Sequence, residues 1–124
     1  MNQTETVADQ IHRAFIPTSQ GVIGVVDALL ELCREQSLRF DWIEDVCRVY
    51  LPGVPPENVD VTLQKSVFRA ILARIAALCN QHASNSASPY GGEGELILEG
   101  DSPVRIHVKF KNSSEEQRLE LAKV

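Results

Sequence analysis

Apolar residues in this 124-residue chain change their spacing about three-quarters of the way along. Up to Cys79 they recur every three or four positions, and from Glu95 onward they alternate with polar ones. A period of 3.6 marks one face of a helix and a period of 2 marks one face of a strand. The pattern therefore predicts helices followed by strands. Between the two regimes, residues 82–93 are small, polar and rich in turn formers.

Four helices are predicted. The first spans Thr4–Phe15, capped by Thr4, with Val7, Ala8, Ile11, Ala14 and Phe15 on one stripe. Pro17 ends it, because the residue before a proline is pushed out of helical geometry. The second, Ser19–Gln36, has an apolar arc from Val22 to Cys33 wide enough for two neighbours and is the expected central helix. The third, Asp41–Tyr50, starts with an Asp41/Glu44 capping pattern. It turns Trp42, Ile43, Val46, Cys47, Val49 and Tyr50 inward and pairs Glu44 with Arg48 outward. Leu51–Glu57 holds three prolines and reads as a stiff loop. The fourth helix, Thr62–Gln81, has Val67, Phe68, Ile71, Leu72, Ile75, Leu78 and Cys79 as its core face. Its opposite side is small, with Ser66, Ala70, Ala73 and Ala77 between Arg69 and Arg74.

The last third predicts strands at 95–99, 104–111 and 117–124, joined by Asp101-Ser-Pro103 and Asn112-Ser-Ser-Glu115. Val104, Ile106, Val108 and Phe110 share one face with Leu96, Leu98, Leu119 and Leu121. A free three-stranded sheet is only marginally stable and has this face to cover. The expected architecture is thus one α+β domain over 1–124. It comprises a four-helix bundle over about 4–81, a connector at 82–93 and a three-stranded antiparallel meander at 94–124 packed on the helices.

Charge and composition narrow the partners. The chain carries 12 Lys+Arg against 17 Asp+Glu, net −5, spread over both halves. That balance argues against nucleic acid and an anionic membrane surface. The start lacks the basic and apolar regions of a signal peptide, and the longest apolar stretch is interrupted by Asp27 and Glu31. Cys33, Cys47 and Cys79 fall on apolar stripes, where cysteine behaves as a small hydrophobe. Together these features fit the cytoplasm.

Candidate chemistry is sparse. Gly91-Gly92-Glu93-Gly94 precedes a strand, whereas phosphate loops follow one, so it reads as an entry into the sheet or a bulge. Cys79 and His82 have a chelating spacing but no second close pair to complete a zinc site. The serines show no nucleophile elbow, and the Asp27/Glu31/Glu35 stripe lies on a polar helix face. No catalytic, cofactor or metal residues are assigned. The basic row Arg105, His107, Lys109 and Lys111 puts four donors on one strand face. A three-residue turn would place Glu99 opposite Arg105 and Glu95 opposite Lys109, with Glu120 facing Lys109 or Lys111, as on a solvated, salt-bridged face.

Protein binding is the function these residues leave open. The expected role is a non-catalytic adaptor or accessory or regulatory subunit of a larger complex, with a homo-oligomer an allowed form. The candidate surface comprises Arg69, Ala70, Ala73, Arg74 and Ala77 of the fourth helix and Arg105, His107, Lys109 and Lys111 of the middle strand. The Pro52–Pro56 loop and an open sheet edge are further contact points. The alternative is a small ligand-binding protein or enzyme with a polar pocket between helices and sheet.

Overall fold

A computed structural model describes residues 6–16, 21–52, 57–82, 88 and 90–124. The Thr4 cap, Pro17, Ser19, most of the Pro52–Pro56 loop and residues 83–87 and 89 of the connector lie outside the described residues. The elements run α1 (Val7–Ala14), α2 (Val22–Leu32), β1 (Leu38–Ile43), β2 (Val46–Leu51), β3 (Glu57–Thr62), α3 (Lys65–His82), β4 (Gly91–Leu98), β5 (Val104–Asn112) and β6 (Gln117–Lys123). The described architecture is three helices and one six-stranded antiparallel sheet, which overturns the expected four-helix bundle with a three-stranded meander.

The reason lies in residues 38–62. Leu38, Phe40 and Trp42 alternate with Arg39 and Asp41, and Cys47, Val49 and Leu51 continue the alternation on the next strand. Phe40, Cys47 and Val49 are fully buried. Trp42, Ile43, Val46, Val49 and Tyr50 are β-branched or aromatic, the types that pack best on a pleated surface. The apparent capping pair at Asp41 and Glu44 instead flanks a two-residue turn, Glu44-Asp45, with φ of 46° and 68°. Two successive positive φ values are the signature of a type I′ hairpin, whose twist matches that of the strands it joins. Glu44 thus never meets Arg48 on a helix face. Arg48 pairs across to Asp60 on β3, a strand that the sequence pattern missed altogether.

The sheet order is β3-β2-β1-β6-β5-β4. Two consecutive meanders, β1–β3 and β4–β6, are fused along β1 and β6, where Leu38 faces Leu121 and Phe40 faces Leu119. All four of those side chains are buried. α3 lies over β4, β5 and β6; α2 packs against α3, and α1 packs against α2 and reaches β3. Leu29 and Val26 of α2 and Phe68, Ile71, Leu72 and Ile75 of α3 fill the space between helices and sheet. At about 25 cal/mol per Å² of buried apolar surface, this one continuous core is the main stabilising term.

Polar details fix the ends of these elements. The N-cap of α1 is Thr6, whose Oγ1 accepts from the Asp9 N–H (3.1 Å) while Asp9 Oδ2 accepts from the Thr6 N–H (3.4 Å). Asn112 and Gln117 are buried at the β5–β6 turn. The Arg69 Nε–H donates to Asn112 Oδ1 (2.8 Å), and the Gln117 Nε2–H donates to the Ser113 carbonyl (2.6 Å). The Trp42 indole N–H donates to the Leu63 carbonyl (2.9 Å), tying β1 to the entry of α3. No helix among the described residues is long and apolar enough to cross a membrane.

Candidate interaction surface

The helix-free face of the sheet is built from the odd residues of β1 and β5 and the even ones of β2, β3 and β6, which strand alternation turns away from the core. Arg105, His107, Lys109 and Lys111 share that face as the alternation implies. Their partners differ from the expected ones. The turn between β4 and β5 spans five residues, closing with Leu98 opposite Val104, so Ile97 faces Arg105, Glu95 faces His107 and Glu93 faces Lys109. Glu120 faces Lys109 from β6.

Ion pairs lace this face. Arg48 forks onto Asp60 at 2.8 and 3.1 Å, and Arg39 reaches Asp41 at 3.1 Å while its guanidinium sits 4.8 Å from the Tyr50 ring centroid. Lys111 and Arg118 both hold Glu116 at 2.9 Å. Hydrogen bonding from Arg48 pulls the Asp60 carboxyl below the usual carboxylate range, and that from Lys111, helped by Arg118, does the same to Glu116. At the β4 end the contacts are longer: His107 Nε2 lies 3.2 Å from Glu93, and Arg105 lies 3.9 Å from Glu95.

The two parts of the sequence-derived candidate surface lie on opposite sides of the molecule. Ala70, Ala73 and Ala77 are exposed on α3, in the helical layer, whereas the basic row faces away from that layer. Arg69 is a structural tie, bonded to the buried Asn112, and Arg74 is half-buried with an Nε that finds no hydrogen-bond partner among the described residues. These nine residues do not form one site.

Catalytic alternatives gain nothing from the geometry. Cys33, Cys47 and Cys79 are buried free thiols; burial pushes the first two up to about 12 and the third to about 11, the reverse of an activated nucleophile. The described residues contain no group of three or more His, Cys, Asp or Glu able to hold a metal ion, and the His82 side chain lies outside them. A 440 Å³ groove between α1 and α2 takes in Glu31 and Glu35 beside Arg13, whereas His107 lies on the helix-free face.

The outer edge of β4 was not singled out from the sequence. Gly91–Gly94 was read as connector and entry, yet it is strand, paired with Val108–Lys111. Gly94 is required by packing: a Cβ there would meet Cys79 Cβ at 3.0 Å and Sγ at 3.1 Å, so glycine lets α3 approach the strand. Main-chain hydrogen bonds fix which groups of β4 point outward. The Asn112 N–H donates to the Tyr90 carbonyl and the Val124 N–H donates to the Arg105 carbonyl. Since antiparallel pairs alternate between bonded and non-bonded, Gly92, Gly94, Leu96 and Leu98 direct their N–H and C=O groups to β5. Gly91, Glu93, Glu95 and Ile97 direct theirs outward, and those of Gly91 are used by Ser88. No described strand lies on the outward side of β4 to bond the N–H and C=O groups of Glu93, Glu95 and Ile97. The signal available in the sequence was the alternation Glu93, Glu95, Ile97 beside small and apolar neighbours.

The chain matches no protein-family model and no curated protein.

Proposed function

We propose that this protein is a non-catalytic protein–protein interaction domain, an adaptor or accessory subunit of a larger cytoplasmic complex, and that the outer edge of β4 is its working surface. The observation that carries this reading is the run of outward backbone groups at Glu93, Glu95 and Ile97 on an eight-residue edge strand. Exposed edges are ordinarily guarded by charged side chains, above all lysine, or by proline, a bulge or shortness. β4 has no lysine or proline and pairs in unbroken register with β5 over its full length. Its charges, Glu93 and Glu95, are both acidic and leave the edge open to a basic segment. Strand addition supplies affinity through just such main-chain groups. Three free, buried thiols and no disulfide among the described residues suit a reducing compartment.

Site-specific photo-crosslinking in the native host tests this reading. A crosslinker replacing exposed Ile97 is expected to give discrete adducts, whereas one replacing exposed Ile23 on α2 gives none. Absence of adducts at every surface position sampled would end the interaction reading.

A further inference from the structure

The chemistry of the β4 edge goes further and specifies a partner. Resting on the reading of β4 as the working edge, we infer that it accepts an extended, basic strand from another protein, antiparallel, with Lys or Arg opposite Glu93 and Glu95 and an apolar residue opposite Ile97.

Geometry sets the positions. The outward backbone groups belong to Glu93, Glu95 and Ile97, so an added strand bonds to those three residues and places the side chains opposite them on the helix-free face. The two carboxylates remain 60% and 52% exposed, Glu93 at 3.2 Å from His107 and Glu95 at 3.9 Å from Arg105, and Ile97 is 40% exposed. β5 is the internal template. On the other side of β4 it sets Arg105, His107 and Lys109 opposite Ile97, Glu95 and Glu93. A ligand strand reads apolar-x-basic-x-basic along its chain, its intervening residues falling beside Gly94 and Leu96 on the helix side, where small or apolar side chains extend the core.

Charge also selects against a second copy of this chain. A two-fold pairing of β4 centred on Gly94 sets Glu93 opposite Glu95, and one centred on Glu95 sets Glu95 opposite itself. Like charges directly opposed destabilise a strand pair. The edge is thereby kept from self-pairing while staying open to a basic segment.

The test uses the whole chain and two synthetic peptides of about ten residues. One carries lysine at two alternate positions after an apolar residue, and the other carries glutamate at those positions. Amide exchange and calorimetric titration read binding. The lysine peptide is expected to slow exchange at Glu93, Glu95 and Ile97. Reversal by Glu93→Lys with Glu95→Lys should weaken it about tenfold and favour the glutamate peptide. Ile97→Pro, which removes an outward N–H without touching the carboxylates, should weaken both. Circular dichroism checks that each variant folds. Equal binding of both peptides, or crosslinking at Ile97 that persists unchanged in the charge-reversed variant, would overturn the basic partner and leave the broader interaction reading standing. Protection of the β4 amides in free protein with a doubled solution mass would identify a second copy and overturn it as well. So would a lack of protection at millimolar lysine peptide.

Discussion

The two ends of the sheet treat their charges in opposite ways. β3 is six residues long, preceded in sequence by Pro55 and Pro56, touched by α1, and its Asp60 is gripped by both nitrogens of the Arg48 fork. β4 is eight residues long, carries three glycines, and holds Glu93 and Glu95 by single contacts of 3.2 and 3.9 Å. A bidentate guanidinium–carboxylate pair satisfies its members in a fixed geometry. A lone contact to histidine, or one near 4 Å, leaves most of the carboxylate's acceptor capacity to water or to a partner. The difference lies in the charges and the strand length, because both edges turn backbone groups outward: Asn58, Asp60 and Thr62 on β3 by the same alternation, and Glu93, Glu95 and Ile97 on β4. β3 ties its edge carboxylate into a bidentate pair, whereas the longer β4 leaves Glu93 and Glu95 in looser contacts.

The strongest way to break this comparison is to disturb the core that both ends share. Phe40, fully buried at the β1–β6 seam, should cost about 3–5 kcal/mol when changed to alanine. Leu29→Ala and Ile71→Ala should each cost about 2–5 kcal/mol. Urea unfolding measures all three. Losses near zero would mean that the two meanders do not share one core. Next in size is Gly94→Val, expected to cost about 1–3 kcal/mol because the new side chain collides with Cys79. That variant separates the role of β4's inner face from that of its edge.

Smaller effects sharpen the contrast between the ends. Asp60→Lys should lower the urea midpoint measurably, whereas Glu95→Lys should leave it almost unchanged, since only the first removes a saturated pair. Asp60 and Glu116 have carboxyls held below their ordinary range, so both contribute stability above the carboxylate range. That contribution is lost as pH falls through their lowered values. The thiols act with the opposite sign. Cys33 and Cys47 stay protonated in the fold up to about pH 12, so unfolded chains ionise first and stability declines once pH passes the ordinary thiol value near 9. Thermal melts across pH read both limbs.

How much of this was legible in the sequence depends on the competing signals in each stretch. β5 was plain, because Val104, Ile106, Val108 and Phe110 alternate with four basic residues over eight positions. α3 was equally plain from its long 3.6-residue repeat. Residues 38–51 satisfied two templates at once, since Trp42, Ile43, Val46, Cys47, Val49 and Tyr50 fall near helical spacing while Leu38, Phe40 and Trp42 alternate. The deciding feature, a Glu44-Asp45 turn with both φ positive, lacks the Asn-Gly or Asp-Gly chemistry that usually announces it. β3 offered only Val59 and Val61 behind a proline cluster. The candidate residues fared likewise. The basic row was found on one face, but nothing local says that the alanine face of α3 lies on the other side of the sheet. The β4 edge is defined by strand order, which a long-range pairing of β1 with β6 determines.

Residue-resolved amide exchange of the free protein tests the central claim most directly. The account predicts a sawtooth along β4: fast exchange at Glu93, Glu95 and Ile97, whose N–H groups face outward, and slow exchange at Gly94, Leu96 and Leu98, bonded to β5. Even protection from Glu93 to Leu98 would contradict it, because the edge would then already be covered.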